Sequence, residues 1–311
     1  MSTLWSEDLP ALEWPGEPEE ESWSTPFATE MAPWVQHEVI GEDERQLVSN
    51  TLPVPYRWIC GLDVTFNKPY PRNWPGGFGR GTGLLVGPRE VLTAAHNIYP
   101  DGKSGPASVY VTPGRNGDLE PFGRVKAVAY SVPANAFGKR GILQWYDYAV
   151  VTLENAVGRQ SFKALGNEPL GYWGSAKLGQ ATMLTALNLS FMIGKRVTVC
   201  GYPGDRCGTK PYVPKTRTCS KQDQASTQWV HNGVVSAMPK SSRRFFHTAD
   251  TYAGQSGSPV WIKFTNGRRY LVGVHVDAHR VIVDDKFSHN IAVHLSNHVL
   301  AIVRSWIKGP L

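Results

Sequence analysis

Ser256 lies in the stretch Asp250-Thr251-Tyr252-Ala253-Gly254-Gln255-Ser256-Gly257-Ser258-Pro259, just ahead of an apolar run. Gly254 and Gly257 permit a tight turn in which the backbone N–H groups of Gly254 and Ser256 converge beside the hydroxyl, where an oxyanion would form. Taken alone, such a glycine-flanked serine is more often a plain turn between strands. A serine hydroxyl is too weakly acidic to attack at neutral pH, so the chemistry also needs a base and a carboxylate to orient it. Glu90-Val91-Leu92-Thr93-Ala94-Ala95-His96-Asn97 places His96 directly after a β-like run and two alanines. Trp145-Tyr146-Asp147-Tyr148-Ala149-Val150-Val151 opens another such run with Asp147.

The chain order His96, Asp147, Ser256 is that of the chymotrypsin-type triad, whereas α/β-hydrolases and subtilisins present the same groups in other orders. The elements that would carry them read as strands. Short β-runs at Arg57 to Phe66, Gly83 to Leu92, Ala107 to Thr112 and Gly123 to Tyr130 are broken by Gly and Pro, with a turn at Arg115 to Asp118. A second series runs Arg196 to Tyr202, Gln228 to Ser236, Arg244 to Asp250, Pro259 to Phe264, Arg269 to Val276 and Asn290 to His294. His96 and Asp147 fall in the first series and Ser256 in the second, which predicts a site between two barrels. Apolar Val299, Leu300, Ile302, Val303 and Trp306 suit one helix face, with Ser296 as N-cap. The expected fold is all-β: two packed six-stranded antiparallel barrels with a C-terminal helix. The boundaries predicted are 39–160, 161–295 and 296–308.

Matching stretches then run in order from Val39-Ile40-Gly41-Glu42-Asp43 through Thr82-Gly83-Leu84, the His96 segment, Thr112-Pro113-Gly114-Arg115-Asn116-Gly117, the Asp147 segment, Gly201-Tyr202-Pro203-Gly204-Asp205, Gln228-Trp229-Val230-His231 and Asp250 to Pro259. In these the chain resembles the bacterial glutamyl endopeptidases, the trypsin-like branch that cleaves after acidic residues. The resemblance implies a serine endopeptidase acting on peptides with Glu or Asp before the cut bond. It implies a pocket for that side chain built from Thr251, His275 and the ammonium of a mature N-terminus at Val39. No aspartate is read into that pocket to favour Lys or Arg. Without the resemblance, His275 is more often a strand histidine satisfied by backbone. Many relatives carry a disulfide whose two positions correspond here to Gly81 and Asn97.

Residues 1–38 hold nine acids, four tryptophans and no lysine or arginine, and read as a poorly ordered leader. The remaining residues hold all 32 bases and 17 acids, a net charge of +15, so the acidic leader can dock on the basic body. Glu38 directly before Val39 suggests a zymogen cut between the two. A solubilising tail is the plainer reading of the leader's charge.

Of four cysteines, Cys207 and Cys219 bracket a basic stretch and can form a local disulfide under oxidising conditions, or stay reduced. No Cys-x-x-Cys pair points to a metal, and the chemistry requires no cofactor. No apolar run is long enough to span a membrane. The first ten residues lack a signal-peptide pattern, so the expectation is cytoplasmic or non-classical export, against secretion judged by the resemblance. Two alternatives stay open: a trypsin-like protease of other specificity, and a non-catalytic binding protein whose basic body grips an acidic partner or nucleic acid. No nucleic-acid partner is expected on the protease reading.

Overall fold

In the computed structural model, residues 39–67, 77–100, 104–138, 141–175, 182–207, 210–211, 224–237, 243–280 and 287–307 are described. The first barrel comprises β1 (Ile59–Thr65), β2 (Phe78–Leu85), β3 (Glu90–Thr93), β4 (Ser108–Pro113), β5 (Val125–Ser131) and β6 (Ala149–Leu153). It closes in the order β1-β2-β3-β6-β5-β4, all antiparallel. The second comprises β7 (Arg196–Gly201), β8 (Trp229–Ala237), β9 (Arg244–His247), β10 (Pro259–Lys263), β11 (Arg269–Arg280) and β12 (Phe287–His294). It closes as β7-β8-β9-β12-β11-β10, the same cyclic order. Closure leaves no long sheet edge unpaired in either half.

β-branched and other apolar side chains fill the interiors. In the first barrel Leu62, Val91, Val109, Val111 and Leu153 share one face of the sheet and Ile59, Leu84 and Val150 the other, all buried, and in the second Val197, Val199, Val260 and Val272 are buried in one cluster. Each such side chain contributes roughly 1.5–3 kcal/mol on burial. The C-terminal helix, Asn297–Trp306, starts where expected, with the Ser296 hydroxyl accepting the Val299 N–H at 3.3 Å. It buries Val299, Leu300 and Val303, and Trp306 packs against Tyr148 beside β6.

Two corrections to the sequence reading have physical causes. The run from Gly83 to Leu92 is two strands, because the chain reverses at Gly87-Pro88 and both Val86 and Gly87 donate N–H groups to the Glu90 carbonyl. The interval 39–160 does not all belong to the first barrel. Gln46 and Leu47 pair with Val230 and Trp229 of β8, so the start of this interval crosses to the second barrel. Buried polar groups tie the barrels together: Gln228 Nε2 donates to the Tyr56 carbonyl at 2.9 Å, and the Tyr202 hydroxyl to the Arg115 carbonyl at 3.1 Å.

Candidate active site

β3 and β6 are neighbours, with Thr93 opposite Ala149. His96 follows β3 on the 3-10 turn Ala95–Asn97, and Asp147 ends the turn Gln144–Tyr146 that leads into β6. Both therefore emerge at the same end of the first barrel. Asp147 Oδ2 lies 2.6 Å from His96 Nδ1, and Oδ1 accepts the His96 backbone N–H at 2.9 Å. A carboxylate can only accept, so Nδ1 carries the proton and Nε2 is left as the basic nitrogen. Burial disfavours the imidazolium, but the charge and hydrogen bond of Asp147, helped by Asp277, outweigh it and raise the His96 pKa.

The Ser256 loop belongs to the second barrel yet is anchored on the first. The Ser256 carbonyl accepts the Thr82 N–H at 2.9 Å and Asn97 Nδ2 at 2.8 Å. The Thr82 hydroxyl donates to the Gly254 carbonyl at 2.9 Å and accepts the Tyr202 N–H at 3.0 Å. Gly257 has φ +89°, and a Cβ there would stand 2.0 Å from the Thr82 carbonyl oxygen. Gly254 has φ +98°, with the Tyr202 carbonyl oxygen 2.6 Å from where a Cβ would be. Both glycines are thus needed for backbone conformation and for close approach. Residue 256 is brought against residue 97, the chain neighbour of His96.

Each of the three residues predicted for the specificity pocket lies on or next to an anchored segment. The Ile40 N–H donates to Asp250 Oδ1 at 2.8 Å and the Glu44 N–H to Oδ2 at 3.2 Å, which holds Val39 one residue from this clamp. Asp250 adjoins Thr251. His275 is joined to the serine loop by two backbone bonds, Gly257 N–H to its carbonyl at 2.7 Å and its own N–H to the Ser258 carbonyl at 2.9 Å. Thr251 and His275 are fully buried. Among the described residues the Thr251 hydroxyl has no hydrogen-bond partner, an unusual state for a buried polar group. The His247 ring packs edge-on against His275 with centroids 5.4 Å apart, and burial, with His231 and His289 nearby, pushes its pKa down to about 3. It is neutral at working pH.

Several of these residues carry no local signal. Asp250 reads as a strand end, and its two N–H donors lie more than 200 residues away. Asp277, two residues beyond His275 on β11, is pushed up to about 6 by burial, with His96, Asp147 and Arg244 close enough to act on it. Arg45 is buried among carboxylates, bonded to Asp43 at 2.8 Å and to Asp205 at 2.5 and 3.0 Å, while Arg206 also pairs with Asp43. This clamps the segment before β1 to the 201–205 loop, where the Gly204 N–H meets the Ala253 carbonyl at 2.6 Å. Cys60 and Cys200 are free, buried thiols. The Cys207–Cys219 pairing falls on Cys219, outside the described residues, as does Glu38.

A family model described as "Trypsin-like peptidase domain" matches residues 81–274. The chain belongs to the trypsin-like peptidase family. This trypsin-like peptidase is a serine endopeptidase by that membership. It is similar to a glutamyl endopeptidase of Bacillus licheniformis, at 29% identity over 88% of this chain and 71% of the relative. It is also similar to a Bacillus subtilis protein named extracellular metalloprotease, at 25% identity over 86% of this chain and 69% of the relative. Among the described residues, no three His, Cys, Asp or Glu side chains gather into a group that could hold a metal. A solved Glu endopeptidase in complex with MPD shares the fold of this peptidase with TM-score 0.60 and 23% identity, covering 86% of this chain and 98% of the other. Among the described residues no helix is long and apolar enough to cross a membrane.

Proposed function

We propose that this peptidase cleaves peptide bonds after Glu or Asp by acyl transfer to Ser256. His96 Nε2 takes the Ser256 proton as Oγ attacks the substrate carbonyl, and Asp147 holds the imidazole and stabilises its charged form. The N–H groups of Gly254 and Ser256 receive the oxyanion, a contribution of roughly 3–4 kcal/mol per donor in comparable sites. His96 returns the proton to the leaving amine. Water, deprotonated by the same imidazole, then frees the acyl-enzyme. The 2.6 Å contact between His96 and Asp147 carries this reading, since it leaves Nε2 as the free base.

The preference for an acidic side chain is supported by the buried Thr251 hydroxyl and by His275 beside the serine loop. A hydroxyl and an imidazole can donate to a carboxylate without leaving a bare charge in the cleft. Asp250 has both oxygens taken by the chain's own N–H groups, so its carboxylate is not free to attract a Lys or Arg side chain. The relative named glutamyl endopeptidase points the same way. Cleavage between Glu38 and Val39 would turn the amide of Val39 into an ammonium, with Ile40 already held by Asp250 and thereby held near Thr251. The name of the Bacillus subtilis relative supports action outside the cell.

Labelling tests the nucleophile. A serine-directed fluorophosphonate should add one label, located at Ser256 by peptide mapping, and should not react with Ser256→Ala. Labelling elsewhere, or equal labelling of the variant, would remove Ser256 from the mechanism. Intact mass of the incubated protein tests maturation: a fully active species that still carries residues 1–38 would contradict it.

A further inference from the structure

We propose that Asn97 is a positioning residue for the nucleophile, an inference that rests on Ser256 being the attacking group. Its Nδ2 donates to the Ser256 carbonyl at 2.8 Å and to the Thr93 hydroxyl at 3.0 Å, which commits both N–H bonds of one amide. The same carbonyl accepts the Thr82 N–H at 2.9 Å. Two donors on one carbonyl fix the plane of the 256–257 peptide, and with it the Cα from which the serine side chain is aimed. Both donors belong to the first barrel, which also carries His96 and Asp147. Asn97 is bonded covalently to His96 on one side and by hydrogen bond to Ser256 on the other. The spacing of base and nucleophile is therefore set by a direct link between adjacent residues, in addition to the packing of one barrel on the other.

Gly81 completes the device. A Cβ at position 81 would lie 2.5 Å from Asn97 Nδ2, 2.7 Å from Cγ and 2.9 Å from Oδ1, so the amide lies flat against the glycine. Any side chain there must push the amide aside. The Thr93 hydroxyl, in turn, donates to the Thr82 carbonyl at 2.6 Å, which ties the amide's second acceptor into the same backbone. Asn97 is only partly buried and is not part of the apolar core.

The test compares Asn97→Ala, Gly81→Ala and the double variant with the parent and Ser256→Ala, each well below its melting temperature. The readings are the fluorophosphonate labelling rate, kcat and KM on a peptide with Glu before the cut bond, and the acid limb of the pH profile. Loss of alignment should slow labelling and kcat by about tenfold in both single variants. KM should stay within about twofold and the acid limb unmoved, since both are set by other residues. The two substitutions act on one bond, so the double variant should be no slower than Asn97→Ala alone. A lower melting temperature with labelling and kcat unchanged would show a merely structural role and overturn the proposal, as would fully multiplicative losses in the double variant. If Asn97→Ala fails to fold, Gly81→Ala gives the deciding comparison. Labelling of Ser256→Ala would instead defeat the nucleophile assignment, a separate failure.

Discussion

The carboxylate of Asp250 holds the backbone N–H of Ile40 at 2.8 Å, a bond spanning 210 residues of sequence. Its second oxygen takes the Glu44 N–H, and the Asp250 N–H donates to His231 Nδ1 at 2.7 Å. The residue that adjoins Thr251 is thus the clamp for the segment that starts at Val39. Asp250→Asn leaves one acceptor and turns an NH2 toward a donor. Such a change at a buried charged acceptor should cost about 1.5–3 kcal/mol in denaturant unfolding. If the segment carries part of the pocket, KM for Glu substrates should rise more than kcat falls. Unchanged stability and KM would show that the clamp is idle.

The raised pKa of His96 has a definite sign in kinetics. The base works only when neutral, so kcat/KM should climb with pH through a value above the ordinary 6.5 of histidine. Removing the charge in Asp147→Asn should move that limb to lower pH and reduce kcat by about 10⁴-fold, because the imidazole also loses its fixed tautomer. A pH-rate profile on the parent and this variant checks both statements. A limb that moves upward in Asp147→Asn would contradict the assignment.

Asp277 is raised by burial from 3.8 to about 6. A carboxyl raised on folding opposes the folded state once it ionises, so its cost grows as pH rises through about 6 and is absent below the unfolded value. Asp277→Asn should therefore melt higher than the parent at pH 8 and equally below about pH 4. The same substitution removes a negative charge felt by His96, and the acid limb should shift down by less than in Asp147→Asn. Melting curves across pH decide the point; a variant less stable at pH 8 would refute it.

A buried hydroxyl without a partner costs stability, while a bound carboxylate would supply the partner. Thr251→Val should accordingly leave the free protein as stable as before, or more so by about 1 kcal/mol, while kcat/KM for Glu substrates falls. His275→Ala should lower cleavage after Glu far more than it lowers fluorophosphonate labelling. Competition between Glu and Gln peptides measures the pocket directly: an unchanged Glu preference in both variants would exclude these residues from it.

Much of this was legible in the sequence, and what was missed shares one property. The strand runs and the Ser296 cap depend on neighbours within a few residues, and apart from the run split at Gly87-Pro88 the structure has these elements within a few residues of their predicted bounds. Gly87-Pro88 is a local turn signal inside a run that is apolar on both sides. By contrast, Asn97 to Ser256, Asp250 to Ile40 and Gln228 to Tyr56 join residues 159 or more positions apart. Side chains such as Asn97 or Asp250 look the same in sequence whether they face water or staple two barrels. Only closure of both barrels brings their partners within reach. Asp277 belongs with them: its strand is legible, but its burial beside His96 depends on which barrel face meets the other.

The most direct test of the central claim is mass-spectrometric mapping of cut sites in a diverse peptide mixture, using the protein beginning at Val39 with Ser256→Ala as control. Cuts concentrated after Glu, with fewer after Asp and none in the control, are the predicted result. Ser256-dependent cuts without an acidic preference would keep the triad and discard the pocket. Absence of any Ser256-dependent cut would contradict the account and favour a binding protein on a protease fold.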